Sequence, residues 1–153
     1  MTIEEIKSCC FFGSRDLVID PELYKSAALE VLYAATNNCR TFYFCDETVF
    51  DRTVYNAVTA AKKLRPDLDI KRVFCHFGEK QYGNNGLIIN GREYEDCICI
   101  KEQTGSTLAR IKALVDISDG IILYAEGCHD PTPYSILEYA VSSDKFVINI
   151  PTA

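Results

Sequence analysis

Three features that would place a protein in a specialised class are missing from this sequence. The 16 lysines and arginines are outnumbered by 22 aspartates and glutamates, so the formal charge is −6 at pH 7. Nucleic-acid binding depends on clustered cations that displace counterions, and nucleic acid is therefore not expected as the main partner. No apolar run approaches the roughly 18 residues of a bilayer span, and no low-complexity stretch indicates disorder. Because residues 1–7 are acidic rather than signal-like, we expect an ordered, cytoplasmic protein without a membrane partner.

Histidine is scarce and cysteine is frequent, but neither points to a metal site. The two histidines, His76 and His129, have no clustered third ligand. Most of the eight cysteines fall in apolar, strand-like runs, where a thiol behaves as a small hydrophobic side chain. Cys97 and Cys99 share one face of a strand, and no second pair completes a zinc site. We expect buried, reduced thiols, no metal and no cofactor.

Short apolar runs alternate with amphipathic segments along most of the chain. Helices of about 14 residues between such runs are typical of βαβ units, whose parallel strands are joined by right-handed crossovers. The sequence therefore predicts a Rossmann-like α/β fold, a three-layer sandwich with a mostly parallel sheet and helices on both faces. Strands are expected at 8–12, 41–45, 70–77, 97–100, 120–125 and 146–150, and helices at 21–37, 51–64, 106–117 and 133–141.

One segment interrupts this alternation. Residues 78–96 are rich in glycine and asparagine, and Asn90-Gly91 lies between two short runs. An Asn-Gly pair in that setting favours a primed hairpin turn. We therefore expect a single domain over residues 1–153 with an exposed insertion or small hairpin at 78–96.

The loops after three strands are the places where chemistry is expected. In an open α/β sheet, ligands bind beyond the carboxyl ends of the strands, where helix N-termini offer free N–H groups to anions. After the first strand, Gly13 permits close backbone approach, and Ser14 and Arg15 can hold a phosphate. The alternative for this loop is a surface turn with a solvated arginine.

A second loop, 46–51, follows the second strand, and a third, 126–134, precedes the last helix. In the third loop the backbone at Gly127 and the hydroxyls of Thr132 and Ser135 are placed to converge on a ligand. The alternative is a capped helix start. His129 lies in the same loop, where it can donate to a ligand or act as a general acid or base.

Three stretches occur in the same order in a known group of proteins. Residues 9–15, Cys-Cys-Phe-Phe-Gly-Ser-Arg, resemble the opening Cys-Cys-Phe-x-Gly-His-Arg of YpsA-like proteins. That branch belongs to the SLOG superfamily with the LOG phosphoribohydrolases and the DprA/Smf proteins. Residues 110–119 resemble its Arg-Asn-x-x-Met-Val-Asp-x-Ser-Asp segment, and residues 132–140 look like the family's Gly-Gly-Thr loop and following helix, one residue longer here.

This resemblance implies a nucleotide-type ligand and a homodimer. In this resemblance Phe50-Asp51, Ser118 and Asp119 align with family positions. Arg110 aligns with the arginine that, in LOG enzymes, stabilises departure of the base from a nucleoside monophosphate. Glu138 is the nearest carboxylate for the matching catalytic role, and its alternative is an exposed helix carboxylate. The implied catalytic residues are Arg110 and Glu138, and the implied or expected ligand-binding residues are Gly13, Ser14, Arg15, Asp51, Ser118, Asp119, Gly127, His129, Thr132 and Ser135.

The sequence also departs from the family pattern. Both glycines that precede Phe-Asp in the family are replaced, around Cys45 or Asp46 and at Val49, so a side chain stands where bare backbone would approach a phosphate. The Gly-Gly of the LOG loop is replaced by Glu126-Gly127, and a carboxylate there would repel an anion.

Three hypotheses follow from these observations. The first is binding of a nucleotide or nucleotide-derived ligand at the carboxyl edge of the sheet, as a sensor or sequestering module. The second is LOG-like hydrolysis of the N-glycosidic bond of nucleoside monophosphates. The third is a non-catalytic interaction domain, for which the loop tyrosines Tyr82, Tyr94 and Tyr134 are suitable, since aromatic residues are enriched at interfaces.

Overall fold

A six-stranded parallel sheet forms the centre of the molecule. The computed structural model describes residues 1–13, 21–45, 49–77, 87–100, 106–124 and 132–150. The sheet strands are β1 (Ser8–Gly13), β2 (Thr41–Phe44), β3 (Lys71–Phe77), β6 (Asp96–Ile100), β7 (Gly120–Tyr124) and β8 (Phe146–Asn149), and a separate hairpin consists of β4 (Leu87–Ile89) and β5 (Arg92–Tyr94). The sheet order is β6-β3-β2-β1-β7-β8, with every pair parallel.

Among the described residues, four α-helices cover the two faces of this sheet. They are α1 (Pro21–Thr36), α2 (Val49–Leu64), α3 (Thr107–Ile117) and α4 (Thr132–Ser142). Cys9 and Phe11 of β1 point to the core beneath α1 and α2, whereas Cys10 and Phe12 point to the core beneath α3 and α4. Successive strand residues face opposite sides, so a strand covered on both faces is a continuous apolar run. The Rossmann-like α/β class predicted from the sequence is confirmed.

The helix ends follow local chemistry. Ser106 precedes α3, and its hydroxyl accepts a 3.1 Å hydrogen bond from the backbone N–H of Ala109. At the end of α1 the Asn37 side chain donates to the Tyr33 carbonyl at 2.8 Å, and Asn38 adopts φ +102°. Asparagine tolerates positive φ better than most residues, which is why the chain turns toward β2 at this point.

The hairpin is anchored to the core. Asn90 and Gly91 have φ of +53° and +77°, the positive pair of angles that a type I′ turn requires. Tyr94 is 1% exposed and packs against the rings of Phe44, Tyr55 and Phe74. The insertion is therefore only partly exposed, because it extends the core on the α1/α2 side.

A charged group beside the hairpin fastens it to the sheet. Arg72, at the start of β3, makes hydrogen bonds of 2.6–3.2 Å to the Glu95 carboxylate and a 3.1 Å bond to the Thr59 hydroxyl. Lys62 also lies 3.3 Å from that carboxylate. Burial alone would raise the pKa of Glu95, but the hydrogen bonds and charge of Arg72 outweigh it and hold the pKa below its ordinary value.

Within the described part of the chain, no helix has both the length and the apolar character of a membrane span.

Candidate ligand site at the carboxyl edge of the sheet

The strand order reverses direction at β1. From β1 the chain proceeds to β2, β3 and β6 on one side, and it then returns to β7 and β8 on the other. The helix after β1 packs on one face of the sheet and the helix after β7 packs on the opposite face. The helices that follow β1 and β7 therefore lie on opposite faces of the sheet, and the end residues of these two strands, Gly13 and Tyr124, are paired in register. This is the topological switch point at which open α/β sheets bind ligands.

An aromatic pair covers the α2 side of this switch point. The Phe50 ring, which is fully buried, stacks on the Tyr124 ring with centroids 6.3 Å apart. A Cβ atom added at Gly13 would lie 2.4 Å from Cγ of Phe50. The structure thus gives Gly13 a packing reason to be glycine, in addition to the ligand approach expected from the sequence.

Asp51 is a buried carboxylate at this edge. It lies in the first turn of α2, directly after Phe50, and is 3% exposed. The unsatisfied N–H groups of a helix N-terminus stabilise a carboxylate there. Because α2 follows β2, the Asp51 side chain lies at the carboxyl edge of the sheet, and carboxylate oxygens accept hydrogen bonds.

Arg110 brings positive charge to the same edge from the opposite face. It lies in the first turns of α3, is half-buried, and its Cζ atom sits 5.9 Å from the ring centroid of Phe77, the last residue of β3. Such a cation over an aromatic face is held in place by the ring quadrupole. His76, one residue earlier and 9% exposed, points to the α1/α2 face because neighbouring strand residues alternate.

The first turn of α4 completes the described edge. Thr132 and Ser135 lie there and are half-buried, and the convergence of their hydroxyls on a ligand stays a prediction. Glu138 is exposed and lies on the side of α4 opposite Ile136 and Ala140, which face the core. Its position matches the alternative of an exposed helix carboxylate, so the hydrolase hypothesis retains only Arg110 among the described residues.

Ser118 and Asp119 lie at the other edge of the sheet. Both precede β7, and parallel strands begin at the edge opposite to the one where they end. The Ser118 hydroxyl donates to the Leu114 carbonyl at 2.7 Å at the end of α3, and Asp119 Oδ2 accepts from the Lys7 backbone N–H at 2.8 Å. The structure therefore does not place this Ser-Asp pair near Gly13, Asp51 and Arg110. Ser118 ends α3, and Asp119 connects the start of β7 to the residue before β1.

Four expected site residues, Ser14, Arg15, Gly127 and His129, lie outside the described residues, as does Tyr82. Of the other tyrosines assigned to loops, Tyr94 is a core residue, so its assignment to an exposed interface is wrong. Tyr134 is 54% exposed in the first turn of α4.

The described thiols are mostly buried. Cys9, Cys10, Cys39, Cys45 and Cys75 are buried, Cys97 is half-buried and Cys99 is exposed, so the expectation of burial fails at Cys99, near the end of the edge strand β6. Burial raises the pKa of the Cys10 thiol to about 12, which suppresses the reactive thiolate. Among the residues that the structure describes, no group of three or more histidine, cysteine or acidic side chains is arranged to hold a metal ion.

Three aromatic residues contribute to this edge: Tyr124 and Phe77, which the sequence did not single out, and Phe50, which entered only through the resemblance. Each ends a strand or begins a helix, where an aromatic side chain cannot be distinguished from ordinary core by periodicity. The adjacency of Phe50 to Asp51 was the available signal.

Comparison of the chain with protein-family models and with curated proteins finds no match. The resemblance to YpsA-like proteins, and the ligand and oligomeric state that it implies, stay predictions.

Proposed function

We propose that this protein binds a small nucleotide-type ligand in the crevice between β1 and β7. The observation that carries the proposal is the topological switch point between β1 and β7, where the helices that follow the two strands pack on opposite faces of the sheet. Ligand sites of open parallel sheets lie in such crevices. The resemblance of residues 9–15 to the opening of YpsA-like proteins supports the same location.

The charges at this edge suit a ligand with two kinds of polar group. Arg110 supplies a guanidinium, which binds phosphate oxygens through paired N–H donors. The buried Asp51 carboxylate accepts hydrogen bonds from hydroxyl or amino groups. A nucleotide offers both, with an anionic phosphate at one end and sugar hydroxyls and a base at the other.

Helix polarity adds to this match. Each of α1, α2, α3 and α4 follows a parallel strand, so each begins at the carboxyl edge of the sheet. Helix N-termini favour anions because their first N–H groups have no partner within the helix. A phosphate bound near the first turn of α4, beside Thr132 and Ser135, would be stabilised by the N–H groups of that turn.

A thermal-shift screen tests the proposal. The purified chain is melted with adenosine, AMP, ADP, ADP-ribose, cyclic mononucleotides and the guanosine equivalents. A ligand at 100 times its Kd stabilises the fold by about 2.7 kcal/mol, which corresponds to a rise in Tm of about 5–10 °C for a chain of this size. We expect at least one phosphate-containing compound to produce such a rise.

Two variants locate the binding. Arg110→Ala should abolish the rise, whereas Asp119→Ala, at the opposite edge, should keep it after each variant's own Tm is taken as baseline. No rise with any compound, or an equal rise in Arg110→Ala, would overturn the proposal. Release of free base during incubation with the bound nucleotide would assign the chain to the N-glycosidic hydrolases.

A further inference from the structure

Two thiols lie side by side at one edge of the sheet. Cys97 and Cys99 belong to β6, which is the first strand in the sheet order and pairs, among the described residues, with β3 alone. Residues two apart on a strand project from the same face, and Cys97 packs against the core cluster beneath α1 and α2. Cys97 is half-buried, Cys99 is exposed, and neither is in a disulfide. Compounds in solution can therefore reach this pair, which we call the β6 dithiol.

The protonation state of Cys97 follows from its surroundings. Burial raises the pKa of this thiol, and the negative charges of Asp96 and of an ionised Cys99 raise it further. At neutral pH Cys97 is therefore a protonated thiol. The effect of Cys99 on Cys97 also agrees with the placement of both sulfur atoms on one face of β6.

The spacing of the pair is poorly suited to a disulfide. Cα atoms two residues apart on an extended strand are about 6.6 Å apart, close to the upper limit of about 6.8 Å for disulfide-bonded residues. The side chains leave the strand in parallel, so an S–S bond of about 2.05 Å would require the backbone to bend. Ile98, between them, is paired in register with Cys75 of β3. One atom bonded to both sulfurs at about 2.3 Å, the length of a Zn–S bond, demands less movement, because the sulfurs then stay roughly 3–4 Å apart.

The chemistry of the pair also disfavours a metal ion as that bridging atom. Zn²⁺ in proteins takes three or four side-chain ligands. In the part of the chain that the structure describes, no group of three or more histidine, cysteine or acidic side chains is arranged to hold a metal ion, although His76 is the cross-strand neighbour of Cys99. A metal would also require Cys97 to lose its proton. A better match is an atom that needs two sulfurs only and whose own leaving groups take up the thiol protons.

We propose that the β6 dithiol is a binding site for trivalent arsenic compounds that carry one organic group. Such a compound, written R–As(OH)₂ in water, has two exchangeable hydroxyl groups. Two S–H bonds and two As–O bonds break, two As–S bonds form, and the protons leave with the hydroxyls as two molecules of water. Arsenic stays trivalent, so the step needs no oxidant or reductant. The second As–S bond closes a ring and forms at high effective concentration, which makes the pair a far tighter site than one thiol.

This site is separate from the proposed nucleotide crevice. In the sheet order β6 lies three strands away from β1. Neighbouring strands are about 4.8 Å apart, which puts β6 roughly 14 Å from β1. Arsenic binding at β6 and nucleotide binding between β1 and β7 can therefore succeed or fail independently.

Titration of the reduced full chain with phenylarsine oxide tests the proposal. A Cys128→Ser background removes the cysteine that lies outside the described residues. Intact-mass spectrometry should show one phenylarsenic group per chain, and peptide mapping should show Cys97 and Cys99 both protected from iodoacetamide. An excess of the dithiol 2,3-dimercaptopropanol should reverse the adduct, whereas a monothiol at the same concentration should not.

Three variants in this background locate the site. Cys97→Ser and Cys99→Ser should each weaken binding by about a hundredfold or more, since one thiol cannot close the ring. The double variant Cys97→Ser/Ile98→Cys is the matched control, because it keeps two thiols but places them on opposite faces of β6. It should bind as weakly as the single-thiol variants, and melting curves verify that all three variants fold.

Absence of an adduct with the parent chain would overturn the proposal. So would unchanged affinity in Cys97→Ser or Cys99→Ser, which would assign the arsenic to the buried thiols. Full affinity in the double variant would show that two neighbouring thiols suffice without a shared face, and it would equally contradict a site built by the spacing of Cys97 and Cys99.

Discussion

Replacing Gly13 by alanine would place a methyl group inside the contact surface of the Phe50 ring. The added Cβ atom would lie 2.4 Å from Cγ and 2.8 Å from Cβ and Cδ2 of Phe50. Carbon atoms in contact are separated by about 3.5–4.0 Å, so one of the two groups must move by roughly 1 Å. Phe50 cannot move outward freely, because it is fully buried and stacked on Tyr124.

The cost of Gly13→Ala follows from this overlap. The φ angle of Gly13 lies outside the left-handed region, so the effect is steric and not conformational. Overpacking of a core by one methyl group costs about 1–3 kcal/mol, and the closeness of the overlap puts Gly13→Ala at about 2 kcal/mol. For a domain of this size the Tm should fall by about 4–8 °C.

A double-mutant cycle with Phe50→Leu isolates the contact. Urea unfolding of the wild type, the two single variants and the double variant gives the coupling free energy directly. The double variant should be more stable than the sum of the single effects predicts by about 1 kcal/mol, because the smaller side chain leaves room for the methyl group. A Gly13→Ala variant as stable as the wild type, or strictly additive effects, would refute the packing explanation and leave Gly13 with a role in ligand approach alone.

Three further substitutions test other parts of the account. Tyr94→Ala should destabilise the fold by about 3–4 kcal/mol in urea titrations, because it empties the aromatic cluster under the hairpin; a loss below 1 kcal/mol would show that the hairpin is peripheral. Glu95→Gln should cost about 2 kcal/mol at neutral pH, and since the folded pKa of Glu95 is lowered, the difference from the wild type should shrink as the pH falls through that pKa. A difference that grows toward acid pH would contradict the Arg72 pairing. Asp119→Ala should lower the Tm by a few degrees by freeing the Lys7 N–H, while leaving ligand affinity unchanged in calorimetry; lost affinity would return Asp119 to the binding site.

The elements of the fold were predictable because the strands are short and buried on both faces. Residues 8–12 form an unbroken apolar run, and β1 is Ser8–Gly13 in the structure. Pro21 marks the start of α1, since proline fixes φ near the helical value, and Asn90-Gly91 marks a hairpin turn, since asparagine and glycine tolerate the positive φ that the turn needs. The burial of Tyr94 was not predictable, because it depends on contacts with strands and a helix distant in the sequence.

The candidate site was predictable only in part. Gly13 ends β1 and Thr132 begins the helix after β7, and the rule that ligands bind at carboxyl ends correctly predicts that both lie at one edge of the sheet. Ser118 and Asp119 were grouped with them through motif resemblance, although a residue that precedes a strand lies at the amino edge. The contact of Arg110 with Phe77 joins α3 to β3, and sequence spacing carries no information about such a pairing.

Mapping the bound ligand by amide chemical shifts in two-dimensional NMR would show where on the sheet the ligand binds. The chain of 17.2 kDa is small enough for assigned spectra, and titration with the compound selected by the thermal screen reports every backbone N–H separately. We expect the largest shifts at Gly13, Phe77 and Tyr124 and in the first turn of α4. Shifts confined to the amino edge around Ser8 and Gly120 would contradict a ligand site at the switch point between β1 and β7.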